Sequence, residues 1–234
     1  MDGVLREYVV IPAGAIVKIP KTTTLSWGHL ASLVCTGITA WNALYGNLPL
    51  KPGQTVLAIG TGGVSMTAAI FAKAAGAKMI ITSSSDEKIK LAQDKYGVDH
   101  GVNYKKTPNW SDEVNKLTDG KGVDFVIENG GSGTIEQSIG CVARGGIVSV
   151  IGFLAAPEKM PDVAGLVLGK GCVVRGINVG AKQLTDDMAK FACEKNLAIP
   201  IDQTFGFSKD EVIKAFKSLE EAGHVGKICI EISK

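Results

Sequence analysis

Apolar positions along this chain follow two patterns that alternate, and the alternation predicts the architecture. From Thr55 onward, short apolar runs bounded by glycine or polar turns give way to segments with helical spacing. Residues 56–59, 79–82, 100–104, 123–128, 146–152 and 172–177 read as six strands, with helices over 86–96, 111–117 and from about Thr134. Apolar strands separated by helices imply βαβ crossovers, so the expected fold is α/β, a doubly wound parallel six-stranded sheet. Before this rhythm begins, residues 8–12 and 15–20 read as short strands stopped by Pro12 and Pro20. Residues 26–44 have helical periodicity, with Leu30, Val34, Ile38 and Trp41 along one side. Asn47-Leu48-Pro49 and Lys51-Pro52-Gly53 make the turn into the first strand of the sheet. Past the sixth strand an extended segment ends at Phe205. Ser208 then caps a helix with Asp210 and Glu211 in its first turn, and residues 226–232 alternate as a closing strand. No internal repeat or low-complexity segment interrupts the chain.

The first strand of the sheet runs into Gly60-Thr61-Gly62-Gly63-Val64-Ser65 and then a helix. Strand, glycine turn and helix form the context in which a dinucleotide fingerprint acts, giving the sheet a Rossmann character. Gly60 permits the tight turn, and Gly62 leaves no side chain between backbone and pyrophosphate. Ser65 stands where the third glycine would be, a position that must be small. The helix offers free N–H groups and a positive dipole end to phosphates. A glycine-rich turn without a ligand is the plainer alternative.

Composition narrows the class. The chain has 234 residues, 45% hydrophobic and 21% charged, with 25 Lys and Arg against 23 Asp and Glu. Without a charged block there is no reason to expect nucleic acid as a partner, and no apolar run is long enough to span a membrane. The start, MDGVLREYVV, carries charge where a signal peptide would be apolar, so a cytoplasmic protein is expected. Five cysteines lie far apart with no CxxC, which predicts neither a disulfide framework nor structural zinc; most should be small buried residues.

Six segments together resemble one family: GITAWNALYG (37–46), LKPGQTVLAIGTGGVS (50–65), AKAAGAKMIITSSSDEKIKLA (72–92), GVNY (101–104), GKGVDFVIENGG (120–131) and GHVGKICIEI (223–232). Their order and spacing resemble the medium-chain dehydrogenase/reductase superfamily, in its alcohol-dehydrogenase-like and quinone-oxidoreductase-like branch. The resemblance implies that residues 37–199 form the dinucleotide-binding domain. Residues 1–36 and 200–234 would then be a remnant of a β-rich, GroES-like catalytic domain whose larger part this chain lacks. It also implies a small-molecule substrate and pairing into a homodimer through the edge strand at 172–179, since an uncovered edge invites pairing.

Coenzyme choice is the most legible chemistry. An NAD-preferring fold ends its second strand with Asp or Glu for the ribose hydroxyls, and that carboxylate would repel a 2′-phosphate. Here Ser83 stands at that place, followed by Ser84, with Lys88 five residues after Ser83. In NADP-dependent relatives a lysine there contacts the phosphate, and Tyr104 matches a tyrosine that packs against it. Hydroxyl donors and a cation suit a dianion, so NADP(H) is expected, although residues 83–85 would equally serve as a helix cap with Lys88 solvated. By resemblance Asn129, Gly130, Gly152 and Phe153 border ribose and nicotinamide, and Lys227 neighbours the cofactor. Cys35 stands near a zinc-ligand position of relatives, but His29, His100 and His224 are dispersed, so no metal is expected and Cys35 reads as a core residue. No residue presents itself as a general acid. The expected activity is zinc-independent reduction or oxidation of a small carbonyl, enone or quinone; a cyclase or isomerase on the same fold, and a non-catalytic cofactor-binding or oligomerising module, remain alternatives.

Overall fold

A computed structural model describes residues 3–232. The sheet comprises β1 (Thr55–Ile59), β2 (Lys78–Ser83), β3 (His100–Asn103), β4 (Val123–Glu128), β5 (Val142–Val150) and β6 (Val173–Gly176). These run in the order β3-β2-β1-β4-β5-β6, parallel throughout. The order reverses between β1 and β4, which opens a crevice at the carboxyl ends of those two strands. The crossover helices are α3 (Gly63–Ala74), α4 (Asp86–Tyr96), α5 (Trp110–Leu117), α6 (Ile135–Cys141) and α7 (Val163–Lys170). Upstream lie α1 (Trp27–Ser32) and α2 (Ile38–Tyr45); downstream come α8 (Lys182–Glu194) and α9 (Lys209–Glu220).

Strand alternation divides the core in two. Val56, Ala58, Met79, Ile81, Phe125 and Ile127 face α2, α3, α4 and α8, whereas Leu57, Ile80 and Val126 face α5, α6 and α7. On the first face Trp41 stacks on Tyr45 at 4.2 Å and meets Phe191 at 5.1 Å, while the fully buried Phe71 lies edge-on to both Trp41 and Phe191 at 5.9 Å. Helix α8 was not expected from the sequence. Its apolar positions, Leu184, Met188 and Phe191, make sense only once α2 and α3 are in place to receive them.

The N-terminal expectations need correction. Residues 8–12 and 15–20 form no strands, and a single 3₁₀ turn at Ala13–Ala15 is the regular structure there. No neighbouring strand offers hydrogen bonds, and Tyr8 and Val10 are 87% and 95% exposed. The second sheet instead pairs β7 (Ile201–Phe205) with β8 (Lys227–Ile230), in parallel.

The helix expected from Ser26 forms, and Ser26 caps it by accepting from His29 N. At Leu33–Gly37, however, it widens into a π-helical turn. Hydroxyls of Ser32, Thr36 and Thr39 each donate to the carbonyl four residues back, at 2.7 Å, a habit that bends helices. The wider turn shifts the apolar stripe by one position. Leu33 is buried, while Val34, expected inside, is 70% exposed. Cys35, expected in the core, is exposed; of the five cysteines only Cys141 and Cys193 are buried, with Cys172 and Cys229 half-buried, so most are not the small core residues expected.

A buried carboxylate holds the β4 end of the crevice. Glu128 is fully buried and accepts from Gly130 N (2.6 Å), Gly131 N (3.0 Å), Thr134 Oγ1 (2.5 Å) and Ser138 Oγ. It thereby ties strand, glycine turn and α6 together. Because removal leaves several donors unpaired in the core, Glu128→Ala is expected to lower stability in chemical unfolding by about 3 kcal/mol or more. Glu128→Gln, which keeps an acceptor, should cost visibly less.

Candidate functional site

The crevice is built from the carboxyl end of β1 outward. Gly60 adopts φ +83°, a left-handed conformation that admits glycine far better than other residues. Its N–H donates to Thr82 Oγ1 on β2 at 3.3 Å. Thr61 is buried, and Gly62 caps α3 in an extended conformation. A methyl group added at Gly60 or Gly62 would meet nothing, so the turn faces open space on the side where α3 presents its N–H groups. At Gly63 a methyl would lie 2.7 Å from Lys227 Cδ and 3.0 Å from Thr36 Cγ2, so a larger residue would displace the Lys227 side chain and crowd Thr36. Val64 packs on the core. These features fit a dinucleotide: the backbone can be approached at Gly62, and the first turn of α3 is directed at the approach.

Ser65, in the third fingerprint position, is buried and donates to the Ile59 carbonyl at 2.8 Å. Asn129 Nδ2 donates to the same carbonyl (3.2 Å) and to Ser65 Oγ (3.0 Å). The amide of Asn129 therefore sits across the crevice floor and fastens β4 to β1. Beyond it, Gly130 follows within the turn held by Glu128, and a methyl at Gly152 would come 2.5 Å from Asn129 O. The ends of β4 and β5 are thus packed backbone against backbone. Phe153, next to them, is 88% exposed.

On the other side of the crevice Ser83 is buried and its hydroxyl accepts from Ser85 N at 3.3 Å. Ser84 is half-buried. Ser85 does the capping of α4, accepting from Lys88 N at 3.3 Å. Tyr104 is partly exposed and binds Ser83 O through its backbone N–H at 3.0 Å. Asp86 is held below the usual carboxylate range by hydrogen bonds from Lys106 and Asn103, so this acid is engaged along α4 and β3.

Two lysines make contacts beside the glycine turn. Lys88 Nζ donates to Ala222 O at 3.1 Å, and Lys227 lies over Gly63. Both contacts involve residues 222–227, which lie against the glycine turn: Gly226 N donates to Thr61 O at 3.2 Å, and Gly226 itself bridges to Gly62. The sequence pointed to Lys227 but missed this docking, along with Glu128 and His224; the glycine at 226, with φ +84°, was the available signal. His224 is half-buried and its Nδ1 is buried without a hydrogen-bond partner. Burial pushes its imidazole below the usual range; Asp202 opposes the shift, while Lys88 and Lys227 add to it.

Among the described residues, no three His, Cys, Asp or Glu side chains, Cys35 included, converge to hold a metal ion. None of their helices is long and apolar enough to cross a membrane.

Comparison with known proteins agrees with this geometry. The profile of the family described as zinc-binding dehydrogenase matches residues 63–194. A zinc-type alcohol dehydrogenase-like protein of Schizosaccharomyces pombe is 42% identical over 99% of this chain, and the chain covers 67% of it. A quinone oxidoreductase-like protein 2 homolog of Nematostella vectensis is 31% identical over 97% of this chain and 64% of its own length. A solved NAD-dependent alcohol dehydrogenase superposes with a TM-score of 0.86 at 30% identity, covering 99% of this chain and 66% of that one. The chain thus spans about two thirds of the length of these relatives. With the profile matching more than half its residues, from α3 through α8, the chain belongs to the zinc-binding dehydrogenase family of the medium-chain dehydrogenase/reductase superfamily.

Proposed function

We propose that this chain is an oxidoreductase module that binds NADP(H) across the carboxyl ends of β1, β2 and β4 and serves zinc-independent hydride transfer with a small carbonyl, enone or quinone. The observation that carries the reading is the open glycine turn at Gly60–Val64, beside a β2 strand that ends in serines with Lys88 nearby. The backbone of Gly60, Thr61, Gly62, Gly63 and Val64 would hold the pyrophosphate. Ser83, Ser84, Lys88 and Tyr104 would surround the 2′-phosphate, where Asp or Glu would have repelled it. Asn129, Gly130, Gly152, Phe153 and Lys227 would border the remainder. When bound, the nicotinamide supplies or accepts the hydride. The chain's part is to position it: Asn129 and Glu128 keep the crevice floor rigid, so the bound ring has one orientation toward substrate. The zinc-free part of the reading is supported by the sequence alone, in which His29, His100 and His224 are dispersed. The alcohol-dehydrogenase-like and quinone-oxidoreductase-like relatives support the substrate class.

The chain is further proposed to form a homodimer. Among the described residues strand β6 pairs only with β5, so its outer edge presents backbone groups without a strand partner there, with Val173 39% exposed beside them.

Titration with NADPH and NADH, read by nicotinamide fluorescence, tests the cofactor assignment. NADPH is expected to bind more tightly, and Lys88→Ala to weaken it by roughly ten- to a hundredfold, the range of a hydrogen bond to a charged group, with little effect on NADH. Equal affinities would overturn the NADP(H) assignment. Gly62→Ala should weaken binding of both yet leave stability within about 0.5 kcal/mol, because the added methyl would meet no protein atom. NADPH binding without oxidation by any of a panel of enones, quinones and aldehydes would count against the oxidoreductase assignment. For assembly, light scattering at micromolar concentration should give the mass of two chains, and Val173→Asp should shift it toward one.

A further inference from the structure

The carboxyl ends of β2 and β3 carry a cluster of charged side chains beside the serines. Ser83, the last residue of β2, stands in register with Asn103, the last residue of β3, and its carbonyl accepts from Tyr104 N at 3.0 Å. Just past Ser85, Asp86 and Glu87 open α4. Both acids are engaged. Glu87 accepts from the Ser85 hydroxyl at 2.5 Å. Asp86 is held by each of its oxygens: Oδ1 accepts from Asn103 Nδ2 at 2.8 Å, and Oδ2 accepts from Lys106 Nζ. The turn after β3 steadies both donors. In it Asn103 Oδ1 accepts from Lys105 N at 3.0 Å, and Asn103 O accepts from Lys106 N at 3.1 Å and from Thr107 N at 2.8 Å.

A carboxylate at the end of the second strand binds ribose hydroxyls and repels a 2′-phosphate. Ser83 stands at that position here, but Asp86 lies only three residues further on. Released from its partners, a carboxylate at the start of α4 would bring the repulsion back. We infer that Asn103 and Lys106 are specificity-determining residues of the coenzyme site: they hold the Asp86 carboxylate on the β3 side and neutralise it, so that the site accepts a phosphorylated ribose. The inference rests on the NADP(H) assignment above and deepens it, adding a restraint on an acid to the hydroxyls and the cation already placed there. Stability alone gives the pair little to do. The Lys106 and Asp86 side chains are 70% and 51% exposed, and ion pairs so exposed contribute little to folding. Substituting them should therefore leave the fold intact and change the charge presented at the site.

The test is a set of dissociation constants for NADPH and NADH, read by nicotinamide fluorescence on the full chain. Four proteins are compared: the unaltered chain, Asp86→Asn, the pair Asn103→Ala with Lys106→Met, and that pair with Asp86→Asn added. Freeing Asp86 in the pair should lower the preference for NADPH by roughly three- to tenfold, the scale of one partly screened charge beside a dianion. Asp86→Asn should shift the preference by less than about twofold in the unaltered chain, yet restore it in the pair. If Lys106 acted only as a distant cation, Asp86→Asn would have the same effect in both backgrounds. That additive result overturns the inference and leaves the coenzyme assignment standing, as does an unchanged preference in the pair. Absence of binding, or an unaltered chain that does not prefer NADPH, overturns the coenzyme assignment and the restraint with it. Should circular dichroism show the pair unfolded, the cycle is run with Lys106→Met and Asp86→Asn alone; a preference restored by Asp86→Asn supports the restraint, and additivity refutes it.

Discussion

The carbonyl of Ile59, at the last residue of β1, is the constraint on which the rest of the site depends. It accepts from Ser65, one turn into α3, and from Asn129, just past β4. One acceptor thus sets the distance of the helix from the strand and of β4 from β1, at the point where the sheet order reverses. A parallel sheet leaves a crevice there because successive crossovers leave on opposite faces. Without a tie across it, the glycine turn would have the right residues and no fixed direction. Serine in place of the third glycine is compatible with this geometry because its hydroxyl is consumed in the tie.

The second sheet extends the same logic. Strands β7 and β8 form a small parallel pair, and the bend before β8 is docked on the glycine turn by backbone alone, Gly226 to Thr61, with Gly63 leaving room for the Lys227 side chain. Glycines on both sides of this contact are there for proximity. The contact joins a region far along the chain to the crevice, laying Lys227 over Gly63 and offering Ala222 O to Lys88. It also explains how a nearly neutral chain acquires local positive character: the charge comes from placement, and no basic run is involved.

Glu128 and Asn129 illustrate how consecutive residues divide the labour. The carboxylate turns inward to gather donors from the Gly130–Gly131 turn and α6, and the amide turns to the crevice. Strand alternation sends them to opposite sides. The sequence named Asn129 through its resemblance and passed over Glu128, since an acid at a strand end looks solvated until its four donors are seen around it.

What the sequence determined by itself was whatever local periodicity and backbone chemistry can carry. The six sheet strands, the Ser26, Ser85 and Ser208 helix starts, and the strand–glycine–helix turn were all legible, because alternation, capping and left-handed φ are properties of a few neighbouring residues. Only the tertiary structure decided the remainder. The runs at 8–12 and 15–20 have strand composition but no partner strand, so they stay extended and exposed. At the π-helical turn Leu33–Gly37 it is Leu33 that faces the core, and Val34 and Cys35 lie outward. Helix α8 and the docked segment 222–227 depend on contacts with residues far away in the chain. Such contacts form when folding closes long loops, and a pattern in one stretch of sequence holds no record of what will be waiting on the other side.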